Sequence, residues 1–214
     1  MINTRRLRCT IGWLGMMLPW LVVLLLWKFP GSISETFYYQ ETVAPFMIIL
    51  GAASILLMFY DGYDKTDDII NTIGSIFGLG ICLFPCAVGG VPSAGVAIFS
   101  EYIPNMQVGT FMLPMNVSNT IHTVCAIAFF AILALNSLFQ FTKTGGGEMT
   151  KHKKIRNIIY RICGVGMLAS FLIALLPWFP LKIWLLEMFA LTFFGISWLT
   201  KANCYVWLFA DPRK

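Results

Sequence analysis

Asn116-Val-Ser-Asn-Thr-Ile-His122-Thr-Val-Cys125-Ala-Ile-Ala-Phe-Phe-Ala-Ile-Leu-Ala-Leu-Asn136-Ser-Leu-Phe-Gln-Phe141 is the stretch on which the fold turns. A bilayer core takes about 20 apolar helical residues, and this run is long and apolar enough to cross one. It nevertheless carries a histidine near its start. An imidazole at membrane depth is costly unless it meets a partner or water, so His122 marks a candidate site and the rest of the chain supplies its neighbours.

The whole chain has the same character. Of its 214 residues 58% are hydrophobic and 12% charged, and the mean hydropathy is +0.76. Soluble domains carry about a quarter charged residues. The class is therefore an all-α polytopic membrane bundle in one transmembrane domain, 1–214, and no polar segment is long enough for a large water-soluble domain. The net charge of +5 comes from clusters beside the spans, which suit anionic lipid headgroups better than nucleic acid.

Apolar runs separated by polar turns predict six helices, at about 11–28, 43–60, 69–88, 119–141, 158–179 and 183–201. The first follows Arg5, Arg6 and Arg8 like a signal peptide. However, Lys28-Phe-Pro-Gly-Ser-Ile-Ser-Glu35 lacks a small-x-small cleavage site, so a retained helix is expected. Gly74-x-x-x-Gly78 in the third helix offers a smooth face to a neighbour. Residues 89–117 form the longest connection, with 91–102 a candidate interfacial helix. Six spans put both termini on one side. Only Lys28 and Lys182 lie on the opposite side, against 13 basic residues at the termini, even connections and adjoining helix ends. The positive-inside rule makes that basic side cytoplasmic, and the expected location is a bacterial inner membrane. There Cys9 and Cys204, near inner helix ends, are expected as thiols. The acidic turn Asp61, Asp64, Asp67 and Asp68 is expected to pair with Lys151, Lys153, Lys154, Arg156 or Arg161 on the same face.

On this topology Glu35, Tyr38, Tyr39, Glu41, His122 and Glu187 share the outer membrane depth. His122 is expected to point inward and reach a carboxylate, Glu187 first and Glu35 second. Ser34 or Ser32 supplies a hydroxyl nucleophile with His122 as base and a glutamate to orient it. The candidate catalytic set is thus His122, Glu187, Glu35 and Ser34, and the candidate ligand-binding set is Tyr38, Tyr39, His122 and Glu187. For metal, Cys82 and Cys86 are four apart and His122 and Cys125 three apart, each pair on one helix face. Three thiolates and an imidazole suit zinc, but buried cysteine in an apolar helix ordinarily acts as a small hydrophobe. No metal and no cofactor is expected. P-loop and H-E-x-x-H patterns are absent from the sequence.

The chain resembles a family of small bacterial six-helix membrane proteins known only as a domain of unknown function. The resemblance lies in Pro30-Gly-Ser-Ile-Ser34-Glu35, Gly80-Ile-Cys-Leu-Phe84-Pro85, His122 and Gly195-Ile-Ser-Trp-Leu199. It implies an inner-membrane protein without a stated activity. Where that family often has Thr-Asp after Phe-Pro, this chain has Cys86-Ala87, so a carboxylate role does not carry over. A more distant likeness is to the alkaline ceramidase group of membrane hydrolases, which place Ser, Asp and His at helix ends and hold zinc with three histidines. This chain has two, His122 and His152, expected on opposite sides of the membrane.

The leading expectation is an inner-membrane protein with an outward-facing polar pocket that binds a membrane lipid or other small amphiphile. One alternative is a hydrolase or transferase acting on a lipid headgroup with His122 as general base. Another is a structural or assembly subunit, whose partner is a second copy or another membrane protein.

Overall fold

A computed structural model describes residues 3–87, 107–144, 149–174 and 183–204. Six α-helices dominate: α1 (Thr4–Leu26), α2 (Val43–Met58), α3 (Lys65–Leu83), α4 (Met115–Leu135), α5 (Lys151–Ala174) and α6 (Ile183–Lys201). Four of them, α1, α4 with its continuation to Gln140, α5 and α6, are long and apolar enough to cross a membrane. The other two fall short for different reasons. α2 has 16 residues, about 24 Å at 1.5 Å per residue, under the roughly 30 Å of a bilayer core. α3 is long enough, but opens on Lys65, Asp67, Asp68 and Asn71.

Local chemistry sets the ends. Asn3 caps α1 by accepting from the amides of Arg5 and Arg6 at 3.1 and 3.2 Å, so this helix begins seven residues before its apolar run. Hydropathy locates a span; a side-chain cap locates a helix end. Asp64 caps α3 by accepting from Asp67 N at 3.0 Å, and Asp67 and Asp68 in the first turn suit the positive end of the helix dipole. At its far end α4 passes into a π-turn, Asn136–Gln140. A short two-stranded hairpin precedes α4: β1 (Gln107–Val108) pairs antiparallel with β2 (Leu113–Pro114), and Gly109 supplies a φ of +74° in the turn. The candidate interfacial helix at 91–102 lies outside the described residues.

The helices form a closed ring in chain order, each against the next and α6 back against α1. At that last crossing the two backbones touch. A Cβ built on Gly195 would lie 2.8 Å from the carbonyl oxygen of Gly12. Gly78 meets Ser54 of α2 and Phe129 of α4, so the smooth face of α3 serves two neighbours. The core holds Phe46, Leu57, Phe129, Leu133, Phe194 and Trp198, with a polar seam that the apolar pattern concealed. Asn136 donates from Nδ2 to Asn71 Oδ1 at 2.6 Å, and Ser137 bonds Ser197 across the ring.

The basic ends of the helices gather at one end of the ring, where two expectations are corrected. Cys9 and Cys204 are joined in a disulfide with their Cα atoms 6.6 Å apart. The start of α1 and the end of α6 lie side by side there, an adjacency that residues 195 apart in sequence do not reveal. The acidic turn pairs with Lys143, not with the five cations named above. Lys143 Nζ lies 2.8 Å from Asp64 Oδ2 and 2.5 Å from Asp67 Oδ1. Lys143 follows shortly after the π-turn that continues α4 and lies over the α2–α3 turn, whereas Lys153 turns to the Phe141 carbonyl at 2.9 Å and Arg156 to Asn203 Oδ1 at 3.2 Å. The hydrogen bond from Lys143 holds the Asp64 carboxyl below its usual range, and the same bond raises Lys143. The stabilisation from Asp64 is therefore present above the ordinary carboxylate pKa and lost as pH falls through the depressed one. That from Lys143 is lost only as pH rises through its raised value. Both groups are substantially exposed, so the effect is small. Lys143→Met should flatten the acid limb of a thermal-midpoint profile; an unchanged limb would remove this pair from the account.

Candidate functional site

At the end of the ring opposite the disulfide, three separate segments converge. The link after α1 turns through a short 3-10 helix, Ser34–Tyr38, α4 begins at Met115 and α6 at Ile183. The link is pinned to α6 by its backbone: Trp184 N donates to Gly31 O at 2.9 Å, and Ile33 N donates to Glu187 Oε2. Thr36 Oγ1 donates to Ile33 O at 2.5 Å and Thr42 Oγ1 to Thr36 O at 2.8 Å, both buried, which fixes the rest of the turn. Ser34 is thereby held at the inner lip of the link.

His122 sits about two helical turns into α4 and is buried, 5% exposed. Its two nitrogens have different partners. Nδ1 is 2.8 Å from the carbonyl oxygen of Phe84, the C-cap residue that follows α3. A carbonyl only accepts, so Nδ1 carries the hydrogen. Nε2 is then the acceptor, and it lies 3.1 Å from Ser34 Oγ. Glu187 Oε1 lies on the other side of that hydroxyl at 3.5 Å, the outer limit of a hydrogen bond. The order is Phe84 carbonyl, imidazole, hydroxyl, carboxylate. His122 points into the bundle and meets Ser34, not a carboxylate; the single hydroxyl proton can be given to Nε2 or to Glu187 Oε1 but not to both at once, and Nε2 is the nearer acceptor.

These groups stand at one end of a cavity of about 320 Å³, inside the usual range of roughly 300–1,000 Å³ for small-molecule sites. All six helices line it, through Leu18, Leu50, Ile81, Phe129, Phe171 and Leu191. Ser32, Ser34, Asn119, His122, Thr123 and Glu187 supply its polar side chains. Asn119 accepts from Ala87 N through Oδ1 at 2.7 Å, leaving its Nδ2 as the donor on that side chain.

The remaining sequence candidates are placed elsewhere. Glu35 folds back to accept from Gly31 N at 2.8 Å and does not line the cavity. Tyr38 is buried and donates to the Cys86 carbonyl at 2.6 Å; burial raises its phenol, which keeps it the donor. Lys28 lies over the Tyr39 ring at 4.6 Å. Neither tyrosine lines the cavity. Glu41 is exposed. Cys82 and Cys86 do not share a helix face, because α3 ends at Leu83. Among the described residues no three His, Cys, Asp or Glu side chains are grouped to hold a metal ion, and both nitrogens of His122 are engaged with other groups. Asn119 was missed by sequence reasoning, since an asparagine in the first turns of a helix is ordinarily a surface residue. Compared with protein-family models, curated proteins and solved structures, the chain matches none.

Glu187 closes the link onto α6, which gives it a measurable structural weight. Glu187→Gln keeps an acceptor for Ile33 N and should shift the thermal midpoint little. Glu187→Leu leaves that amide unpaired, at about 1–3 kcal/mol, and should lower the midpoint by several degrees. Equal midpoints for the two variants would contradict this role.

Proposed function

We propose that the protein is a six-span bacterial inner-membrane protein that binds a lipid or other small amphiphile. Both termini are cytoplasmic and the cavity faces outward. The carrying observation is the cavity itself: apolar walls from every helix, and a cluster of polar side chains that includes Ser34, His122 and Glu187. An amphiphile matches that division, with its chain along the walls and its polar end at the hydroxyl, imidazole and amide. A site for a fully polar solute would need polar walls as well.

The orientation rests on the basic residues, which collect at the end of the ring away from the cavity. α2 and α3 complete a ring whose other four members are each long enough to span. They cross with their neighbours, α2 by local thinning of the bilayer and α3 with its acidic first turn at the cytoplasmic interface. In intact cells Gln107→Cys should react with an impermeant thiol reagent and Gly147→Cys should not. The reverse labelling would overturn the orientation.

Binding is tested with radiolabelled 1-O-dodecylglycerol, an ether amphiphile with no bond to hydrolyse, on the full chain in lipid nanodiscs. Saturable binding is expected, and Ala126→Trp, which fills the cavity from α4, should abolish it. Binding unchanged in that variant would place the amphiphile elsewhere and refute the proposal.

A further inference from the structure

We infer that Ser34 is a nucleophile toward a carboxylic ester of the amphiphile held in this cavity, with His122 as its general base. The inference rests on the amphiphile-binding reading and adds a reaction to it. Its basis is the order of groups at Ser34. A serine hydroxyl is a weak nucleophile unless a base takes its proton, and the base must be within hydrogen-bond reach in the unprotonated form. Both conditions are met here. Nε2 of His122 is 3.1 Å from Ser34 Oγ, and the Phe84 carbonyl at 2.8 Å from Nδ1 keeps the lone pair on Nε2. In the familiar triads a carboxylate does this orienting; here a backbone carbonyl at the end of α3 does it. Glu187 stands on the serine side of the imidazole, 3.5 Å from the hydroxyl.

Three further observations suit an ester of an apolar chain. The hydroxyl opens on the cavity, so a substrate chain and the nucleophile share one compartment. Ser34 is the first residue of a 3-10 turn fastened to α6 by two backbone amides, so the nucleophile is held rather than free to swing. Asn119 lines the same cavity and, with Oδ1 already committed to Ala87 N, has Nδ2 as its remaining donor, the kind of group that stabilises a developing oxyanion.

The chemistry balances with water as the only co-reactant. Ser34 Oγ attacks the ester carbonyl carbon while its proton passes to His122 Nε2. Collapse of the tetrahedral species breaks the carbon–oxygen bond to the alcohol, which leaves with that proton. Water then adds to the acyl-serine as His122 takes its proton. The acid departs, and the proton returns to Ser34.

The test uses a long-chain alkyl fluorophosphonate on the full chain in nanodiscs. Attack by Ser34 forms an oxygen–phosphorus bond and expels fluoride, leaving a fixed mass on the peptide that contains Ser34. We expect labelling at Ser34, retained in Ser170→Ala, a serine of α5 that does not line the cavity, and absent in Ser34→Ala. In His122→Gln it should be slower by about 100-fold or more, the lower range of general-base contributions. Each variant's fold is checked by its thermal midpoint, and the native protein's labelling decides the matter if a variant is lost. If 1-O-dodecylglycerol binds saturably but Ser34 is never modified, the nucleophile is refuted and the binding proposal stands. Labelling of Ser34 at the same rate in native and His122→Gln protein refutes the base. Failure of both binding and labelling overturns both proposals.

Discussion

Reduction of the Cys9–Cys204 bridge should lower the thermal midpoint of the purified protein more than any other change of a single bond. The bridge closes a loop of 195 residues, for which the chain-entropy treatment gives about 5 kcal/mol. A membrane chain unfolds to a state that keeps much of its helix, so its effective loop is shorter. We therefore expect about 2–4 kcal/mol, the usual span for a native disulfide. Cys9→Ser, Cys204→Ser and the double variant should all match the reduced native protein, and reductant should then change none of them. Cys163→Ser should leave the effect of reductant intact. Identical midpoints for the native protein with and without reductant would show that the bridge carries no stability. The bridge stands at the end that the proposed topology places in the cytosol, where disulfides are rare. It is thus also the place where in-cell and purified states are expected to differ, which differential alkylation of Cys9 and Cys204 in intact cells will read directly.

The second large effect lies at the crossing of α1 and α6. Gly195→Val should destabilise the fold by about 1–3 kcal/mol or more, the range for forcing carbon into a filled interior. Even a single Cβ there would stand 2.8 Å from the Gly12 carbonyl and 2.8 Å from Met16 Cβ. Backbone cannot step aside as a flexible side chain does, so the two helices must separate. The matched control is Gly51→Ala in α2. Its Cβ would meet nothing nearer than Cys82 Sγ at 4.0 Å, and replacing glycine within a helix gains roughly 0.5–1 kcal/mol. A midpoint that falls for Gly195→Val and holds or rises for Gly51→Ala is expected. Similar behaviour of the two would remove the close crossing from the account.

The contrast between these residues also shows what the sequence could disclose. Apolar runs locate helices because burial and lipid both select them, and α6 occupies the expected 183–201. Helix ends were less legible, as at α1, because a polar cap lies outside the hydrophobic signal. The pairing of distant segments was not legible at all. Nothing in the residues near Cys9 or Lys143 states which helix end lies beside them, and the closed ring decides both. The same holds for the site. His122 was conspicuous because an imidazole is expensive at that depth. Its hydroxyl partner was one of two plausible serines, and its orienting group was invisible, because a backbone carbonyl carries no sequence signature. Tyr38 and Tyr39 were attractive as aromatics at the outer membrane depth, but the link folds inward and both are buried. The Asn71–Asn136 pair was hidden for the opposite reason: each asparagine sits near the end of an apolar run, where a polar residue attracts no notice.

The account depends above all on what occupies the cavity beside Ser34. The direct measurement is an electron cryomicroscopy map of the full chain in native-lipid nanodiscs, at a resolution that separates side chains. We predict elongated density along Leu50, Phe129 and Leu191, with its polar end within about 3.5 Å of Ser34, His122 or Asn119, at hydrogen-bond range. A cavity holding only water, or closed by rearranged side chains, would contradict it.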